Sequence, residues 1–152
     1  MGSANKVGTL YADSFSGFAL AHVTGAALSA TGNAVATLPV VGGGLTNNGN
    51  TATSGAFIVR QITFMNAGGT SPNTANVAIY TSSDGNVSNI VTANTVLTNL
   101  TSNLKFQDVT FTGTANTAIS AASTQAFFVC VNTAGGASST VDISIYGDIV
   151  NL

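Results

Sequence analysis

The chain has 152 residues with a formal net charge of −2, and only 5% of them are charged. That length suits one domain, or one domain plus an arm, with enough residues to bury a core without disulfide staples. Three bases (Lys6, Arg60 and Lys105) neutralise too few phosphates for electrostatic nucleic-acid binding. All five acids are aspartate (Asp13, Asp84, Asp108, Asp142 and Asp148), and polarity rests on Ser, Thr, Asn and Gly. So little charge gives weak colloidal repulsion. Either other subunits or a partner cover much of the surface, or hydration of Thr, Ser and Asn is enough.

The first residues, MGSANKVGTLYADSFSGFALAH, make a poor signal peptide. Lys6 supplies a minimal basic region, but Asp13 interrupts the apolar stretch. No charged residue falls between Asp13 and Arg60, yet Gly, Ser, Thr, Asn and Pro39 break the segment. No run of about 20 predominantly apolar residues exists, so no membrane helix is expected. Residues 11–22 read either as a strand or as an arm, which divides the chain into residues 1–24 (arm or first strand) and 25–152 (β domain). AALSATGNAVATLPVV, residues 26–41, suits a hairpin about Thr31-Gly32-Asn33, with Pro39 marking a strand end or an edge. Residues 40–55 have the composition of a flexible loop.

The next hairpin is predicted from AFIVRQITFMN (56–66) through AGGTSPNT into ANVAIYTSS (75–83). Ile58, Ile62 and Phe64 share one face with Arg60 there, and Val77, Ile79 and Thr81 share a face in the return strand. VSNIVT (87–92) and TVLTNL (95–100) read as two strands about a turn. LKFQDVTFT (104–112) is a further strand, with Val109 and Phe111 on one face and Phe106 on the other; a bulge or two-sided burial would reconcile them. At the end, QAFFVCVN (125–132) and STVDISIYG (139–147) read as a hairpin with a glycine loop. Val141, Ile143 and Ile145 alternate with Thr140, Asp142, Ser144 and Tyr146, the period of two of a strand with one buried face. The sum is about eight strands and no helix: an all-β, single antiparallel sandwich. Helix formers such as Glu, Lys and Arg are scarce, and β-branched residues abound.

Few residues offer chemistry. The lone histidine, His22, and lone cysteine, Cys130, cannot build a zinc or copper site of usual ligand type within one chain. Three copies of His22 on a symmetry axis could, but a solvated or packed side chain is the default. Cys130 reads as a small core residue. Ser, His22 and Asp are all present, yet no GxSxG marks a nucleophile elbow. Asp142 and Asp148 would need opposed carboxyls about 5 to 9 Å apart to cleave a glycoside. Gly42-Gly43-Gly44 lacks the Lys-Ser/Thr of a phosphate loop. Asp84-Gly85-Asn86 falls short of a calcium loop and reads as a turn. Two sequons, at Asn86 and Asn99, are no more than chance provides in a chain rich in Asn and Thr. Tyr11, Tyr80, Tyr146 and the phenylalanines could line a sugar platform, although such residues more often anchor cores and interfaces. No catalytic residue, metal or cofactor is expected, and an enzyme is the least favoured reading.

Two stretches carry a resemblance. FIVRQITFMNAGGTSPNTANVAIYTSSDG and QAFFVCVNTAGGASSTVDISIYGDIV together span just over a third of the chain. Their layout is an RxITxxN strand, a Gly/Thr turn, an ANVxIY return and a terminal xIxIYGDI strand. It resembles the head decoration (cement) proteins of tailed bacteriophages. The resemblance implies a jelly-roll or related sandwich, commonly a homotrimer, on the outside of an icosahedral capsid. There it would clamp neighbouring subunits of the major capsid protein, with neither nucleic acid nor membrane as partner. The family has no catalytic motif to carry over. Large apolar groups in the poorly patterned N-terminal segment need a cover, so Leu10, Tyr11, Phe15 and Phe18 are the candidate capsid or subunit contacts. Forming the first core strand is the equal alternative. A carbohydrate- or receptor-binding module of a fibre or adhesin, or a small shell-forming coat protein, would share this composition.

Overall fold

A computed structural model gives the three-dimensional structure, and it describes residues 18–40, 46–47, 50–51, 56–86, 90–110, 119–120 and 126–150. The strands in chain order are β1 (Phe18–Ala27), β2 (Gly32–Pro39), β3 (Thr46–Asn47), β4 (Asn50–Thr51), β5 (Ala56–Gly68) and β6 (Asn76–Tyr80). They continue as β7 (Ile90–Val96), β8 (Gln107–Thr110), β9 (Ile119–Ser120), β10 (Ala126–Thr133) and β11 (Thr140–Val150). A single 3-10 turn, Pro72–Thr74, precedes β6.

Eight of these strands form two antiparallel sheets, β1-β11-β5-β8 and β2-β10-β6-β7, with β9 added on β5. β3 and β4 form a separate two-residue ladder within the predicted 40–55 loop, whose other residues from 41 to 55 lie outside the described residues. The expected all-β sandwich is therefore observed. The pairs β1·β11, β2·β10, β5·β8 and β6·β7 nest one inside another, as if one long hairpin had been folded over. Both sheets turn alternate residues inward. Val141, Ile143 and Ile145 of β11 are sealed against Phe127, Val129 and Val131 of β10, together with Ile62, Phe64, Val77 and Ile79.

The three predicted hairpins are corrected by this arrangement. β1 and β2, β5 and β6, and β10 and β11 each lie in opposite sheets, so each connection crosses the sandwich. Period-two alternation is the same whether a strand's partner lies beside it or across the core, some 10 Å away. The loops at this end fix the crossing: the Leu28 amide donates to the Ser139 carbonyl at 2.8 Å, and the Thr70 amide to the Ala137 carbonyl at 3.1 Å. Gly69 sits at φ +75°, where a Cβ would meet the Ser138 carbonyl oxygen at 2.2 Å. The left-handed residue of the 134–139 loop is Ser138, not a glycine.

Three further expectations change. Residues 90–96 form one strand with no turn between 92 and 95. Of the strand expected over 104–112, residues 104–106 precede β8 and Gln107–Thr110 form it, with residues 111 and 112 outside the described residues. The β5–β11 register shifts at Arg60: Tyr146 faces Gln61 and Gly147 faces Val59. This one-residue bulge reverses the strand's parity, so Val59 as well as Ile62 and Phe64 points inward while Arg60 stays exposed. Tyr146-Gly147-Asp148 lies within β11, opposite the bulge. Pro39 does close β2, an edge strand, as its missing N–H requires.

Candidate functional site

The outer face of the first sheet carries one polar row. His22, Ser144, Thr63 and Asp108 are successive cross-strand neighbours on β1, β11, β5 and β8. His22 Nδ1 and Ser144 Oγ share a hydrogen bond of 2.9 Å. Thr63 Oγ1 donates to Asp108 Oδ1 at 2.6 Å and accepts from Gln61 Nε2 at 3.2 Å. A Ser-His pair thus exists, but the carboxylate at the end of the row holds Thr63 rather than the imidazole. Ser144 is 6% exposed, with its hydroxyl lying among its sheet neighbours. In this geometry the pair does what cross-strand polar pairs do, tying β1 to β11.

The remaining described aspartates are also engaged. Asp142 accepts from the Gly25 amide and from Asn66 Nδ2, each at 2.7 Å. Asp148 pairs with Arg60 Nε at 2.8 Å, both side chains about half exposed. These two carboxylates stand six positions apart on β11, about 20 Å along a strand, far beyond a glycosidase pair. Asp84 accepts from the Ser82 hydroxyl and the Asn86 amide. The hydroxyl first, and then the amide, hold its carboxyl below the ordinary aspartate range. These bonds build a turn, which is the reading Asp84-Gly85-Asn86 invites. Among the described residues no three His, Cys, Asp or Glu side chains converge as a metal site.

The outer face of the second sheet carries an amide cluster. Three residues of β2, Asn33 to Val35, stand opposite the single Cys130 of β10. That bulge brings Asn33 Oδ1 to 3.2 Å from Cys130 Sγ. The thiol is also 3.4 Å from Asn132 Oδ1, and Asn132 Nδ2 reaches across to Asn94 Oδ1. Cys130 is buried, but with Ala78 and Tyr80 on this outer face rather than in the inter-sheet core. Its burial pushes the thiol pKa up.

Leu10, Tyr11 and Phe15 lie outside the described residues. Phe18 opens β1 with its Cα opposite that of Gly147. Among the described residues the exposed large hydrophobic side chains are Ile90 and Val96 of β7, and Leu104 and Phe106 of the segment leading to β8. Strand alternation assigned Phe106 to a sheet face; its placement just before β8, next to Leu104 and Lys105, leaves it 63% exposed. The apolar-basic-apolar triplet was the available sign.

No protein-family model matches the chain, and neither the curated proteins nor the solved structures contain a match to it.

Proposed function

We propose that the chain is a structural virion protein that binds the outside of an icosahedral phage capsid and bridges neighbouring capsomers. The observation that carries the reading is the nested order of the eight strands, first beside last and second beside next-to-last. A jelly roll, two Greek keys closed into a double sheet and an architecture used by viral capsid and lectin domains, would have such an order, which supports the reading. Low charge supports it as well. A surface with three bases and five acids suits a binder that meets protein through shape and apolar contact, as a self-associating homotrimer on a shell. Many copies on one lattice turn a weak single contact into stable coverage.

The test is co-sedimentation of recombinant protein with purified tailed-phage heads from the virus that encodes it. Saturable binding at a fixed copy number per head, with a raised thermal transition of the shell, is expected. No binding at micromolar concentration would overturn the reading.

A carbohydrate-binding module is the second reading, favoured by the Asn33, Asn94 and Asn132 amides clustered on one outer sheet face. It stands second because the ring beside them, Tyr80, is 7% exposed and offers no platform for a sugar. A glycan array with an Asn132→Ala control separates the two.

A further inference from the structure

The two long sides of the sandwich are unlike. On one, β1 lies over β2, and a main-chain bridge between Ala21 and Val40 joins the sheets. On the other, the edge strands β7 and β8 are joined by residues 97–106. This connection is held at several points. Leu97 and Leu100 are fully buried in the core. The Leu100 amide donates to the Leu97 carbonyl at 2.9 Å, and the Lys105 amide to that of Ser102 at 3.1 Å. Gln107 clamps it, donating to the Val96 carbonyl at 2.8 Å and accepting from the Asn99 amide at 3.0 Å. On this fixed segment Leu104 is 88% and Phe106 63% exposed, beside Val96 at 45%, with Ile90 at 42% further along β7. Holding large apolar groups in water on an ordered support is the reverse of what burial favours.

We propose that this side, centred on Val96, Leu104 and Phe106, is where copies of the chain meet, with a symmetry axis passing through it. The inference rests on the self-association contained in the reading above. Area supports it. The four side chains expose roughly 400 Å² of apolar surface, taking about 150–250 Å² for a whole aromatic side chain and less for an aliphatic one. A standard interface covers about 800 Å² per partner, about 60% of it apolar. The patch is thus close to the apolar core of one standard interface. Uniqueness sets the axis: no other exposed large hydrophobic occurs among the described residues. A head-to-tail contact would bury this patch against a polar surface, whereas an axis through it buries apolar against apolar. The contact is made by side chains rather than by extending the sheet. Register shifts between β6 and β7, at Val91 and at Ala93–Asn94, bend the edge away from flat pairing. Lys105 directs its charge to the rim, since like charges cannot sit at the axis.

Light scattering after size exclusion, over a concentration series, reads the wild type against a Leu104→Ser/Phe106→Ser variant. Both positions are exposed, so an unchanged circular-dichroism melt at matched monomer state confirms the fold. The wild type is expected to be an oligomer of the 15.1 kDa chain, and the variant a monomer at concentrations at least 100-fold higher. A second measurement places the axis: Phe106→Cys in a Cys130→Ala background should form a 106–106 disulfide under mild oxidation. Thr74→Cys, on the exposed loop before β6, should not. An oligomer that survives the double substitution, or fails to cross-link at 106, overturns the assignment while leaving self-association intact. A wild type monomeric throughout overturns both, and makes a shell protein or residues 1–17 of the chain itself the cover for the patch. Co-sedimentation with heads, scored separately on the monomeric variant, tells loss of this contact from loss of capsid binding.

Discussion

Gly147→Ala is the sharpest test of the packing described above. Gly147 lies mid-strand in β11, facing Val59 where β5 bulges at Arg60. An added Cβ would stand 2.1 Å from the Ile58 carbonyl oxygen and 2.8 Å from Leu20 Cδ1. The leucine tip can rotate, but the carbonyl belongs to the backbone of β5 and is held between β11 and the sheet beyond. Relief requires moving the strands apart by close to 1 Å, which is overpacking at the upper end of about 1–3 kcal/mol. Weakening one ladder hydrogen bond adds about 1 kcal/mol. Removing glycine's freedom from the unfolded chain returns about 0.4–1 kcal/mol. The net destabilisation is about 3 kcal/mol.

Gly25→Ala provides the contrast. Gly25 has φ +63° and nothing within 4 Å of its added Cβ, so only backbone strain acts, about 1–2 kcal/mol. Urea unfolding of wild type and both variants, at one protein concentration so that assembly is constant, reads the difference. With a slope near 2 kcal/mol/M the Gly147 variant should lose about 1.5 M in midpoint, and the Gly25 variant no more than about 1 M. A Gly147 variant as stable as the Gly25 variant would refute the close approach of β11 to the bulge.

Three more outcomes follow from particular groups. Burial raises the Cys130 thiol above its ordinary 9.0, so alkylation of the native protein should run at least tenfold slower than of the urea-unfolded chain at pH 8.5. The folded state keeps that proton longer, so the contribution to stability is whole below pH 9.0 and is lost as pH rises through the folded value; the melting temperature should decline on that alkaline side. The Asp84 carboxyl lies below 3.8 through Ser82 and Asn86; its stabilisation is present above 3.8 and lost as pH falls through the folded value. An NMR titration should show that depression and its partial reversal in Ser82→Ala. Gln107→Ala removes both clamps on the 97–106 segment, costing about 1–2 kcal/mol, and should speed hydrogen exchange at the Asn99 amide while leaving Ile143 and Ile145 protected.

The strands themselves were legible because alternation is a direct record of a half-buried surface. Val141, Ile143 and Ile145 pointed inward as their spacing requires, and Pro39 fell at the end of an edge strand. Pairing was not legible. β10 and β11, six residues apart, look like a hairpin in sequence, yet each finds its neighbours in the opposite sheet. Nothing local distinguishes a six-residue loop that returns beside its strand from one that crosses to the facing sheet. The bulges hid for a similar reason: Arg60 seemed to share a face with Ile62 until the extra residue shifted the frame. Cys130 was correctly read as buried, but alternation alone could not say that its small cluster lies outside the core, covered by Asn33 and Asn132. Leu104 and Phe106 were obscured because an apolar residue in a β-rich chain is assigned to a core face by default, whereas two buried leucines upstream had already filled that part of the core.

The polar groups account for much of how a chain with so little charge presents itself. Each described aspartate is bonded to another element or closes a turn: Asp108 to Thr63, Asp142 to Gly25 and Asn66, Asp148 to Arg60, Asp84 within its own loop. His22 and Ser144 on one outer face, and Asn132 and Asn94 on the other, are likewise joined across strands. Carboxylates occupied in this way contribute local order more than long-range repulsion. Electrostatic steering is therefore weak, and what distinguishes one face from another is shape and apolar area. On that criterion the two outer sheet faces, polar and internally bonded, are poor adhesives, and among the described residues the side carrying Val96, Leu104 and Phe106 is where covering the surface releases water from a sizeable apolar area. A partner that met only the two outer sheet faces would have to bind them through main-chain and amide hydrogen bonds, each worth about 1 kcal/mol net, and would need a correspondingly large interface.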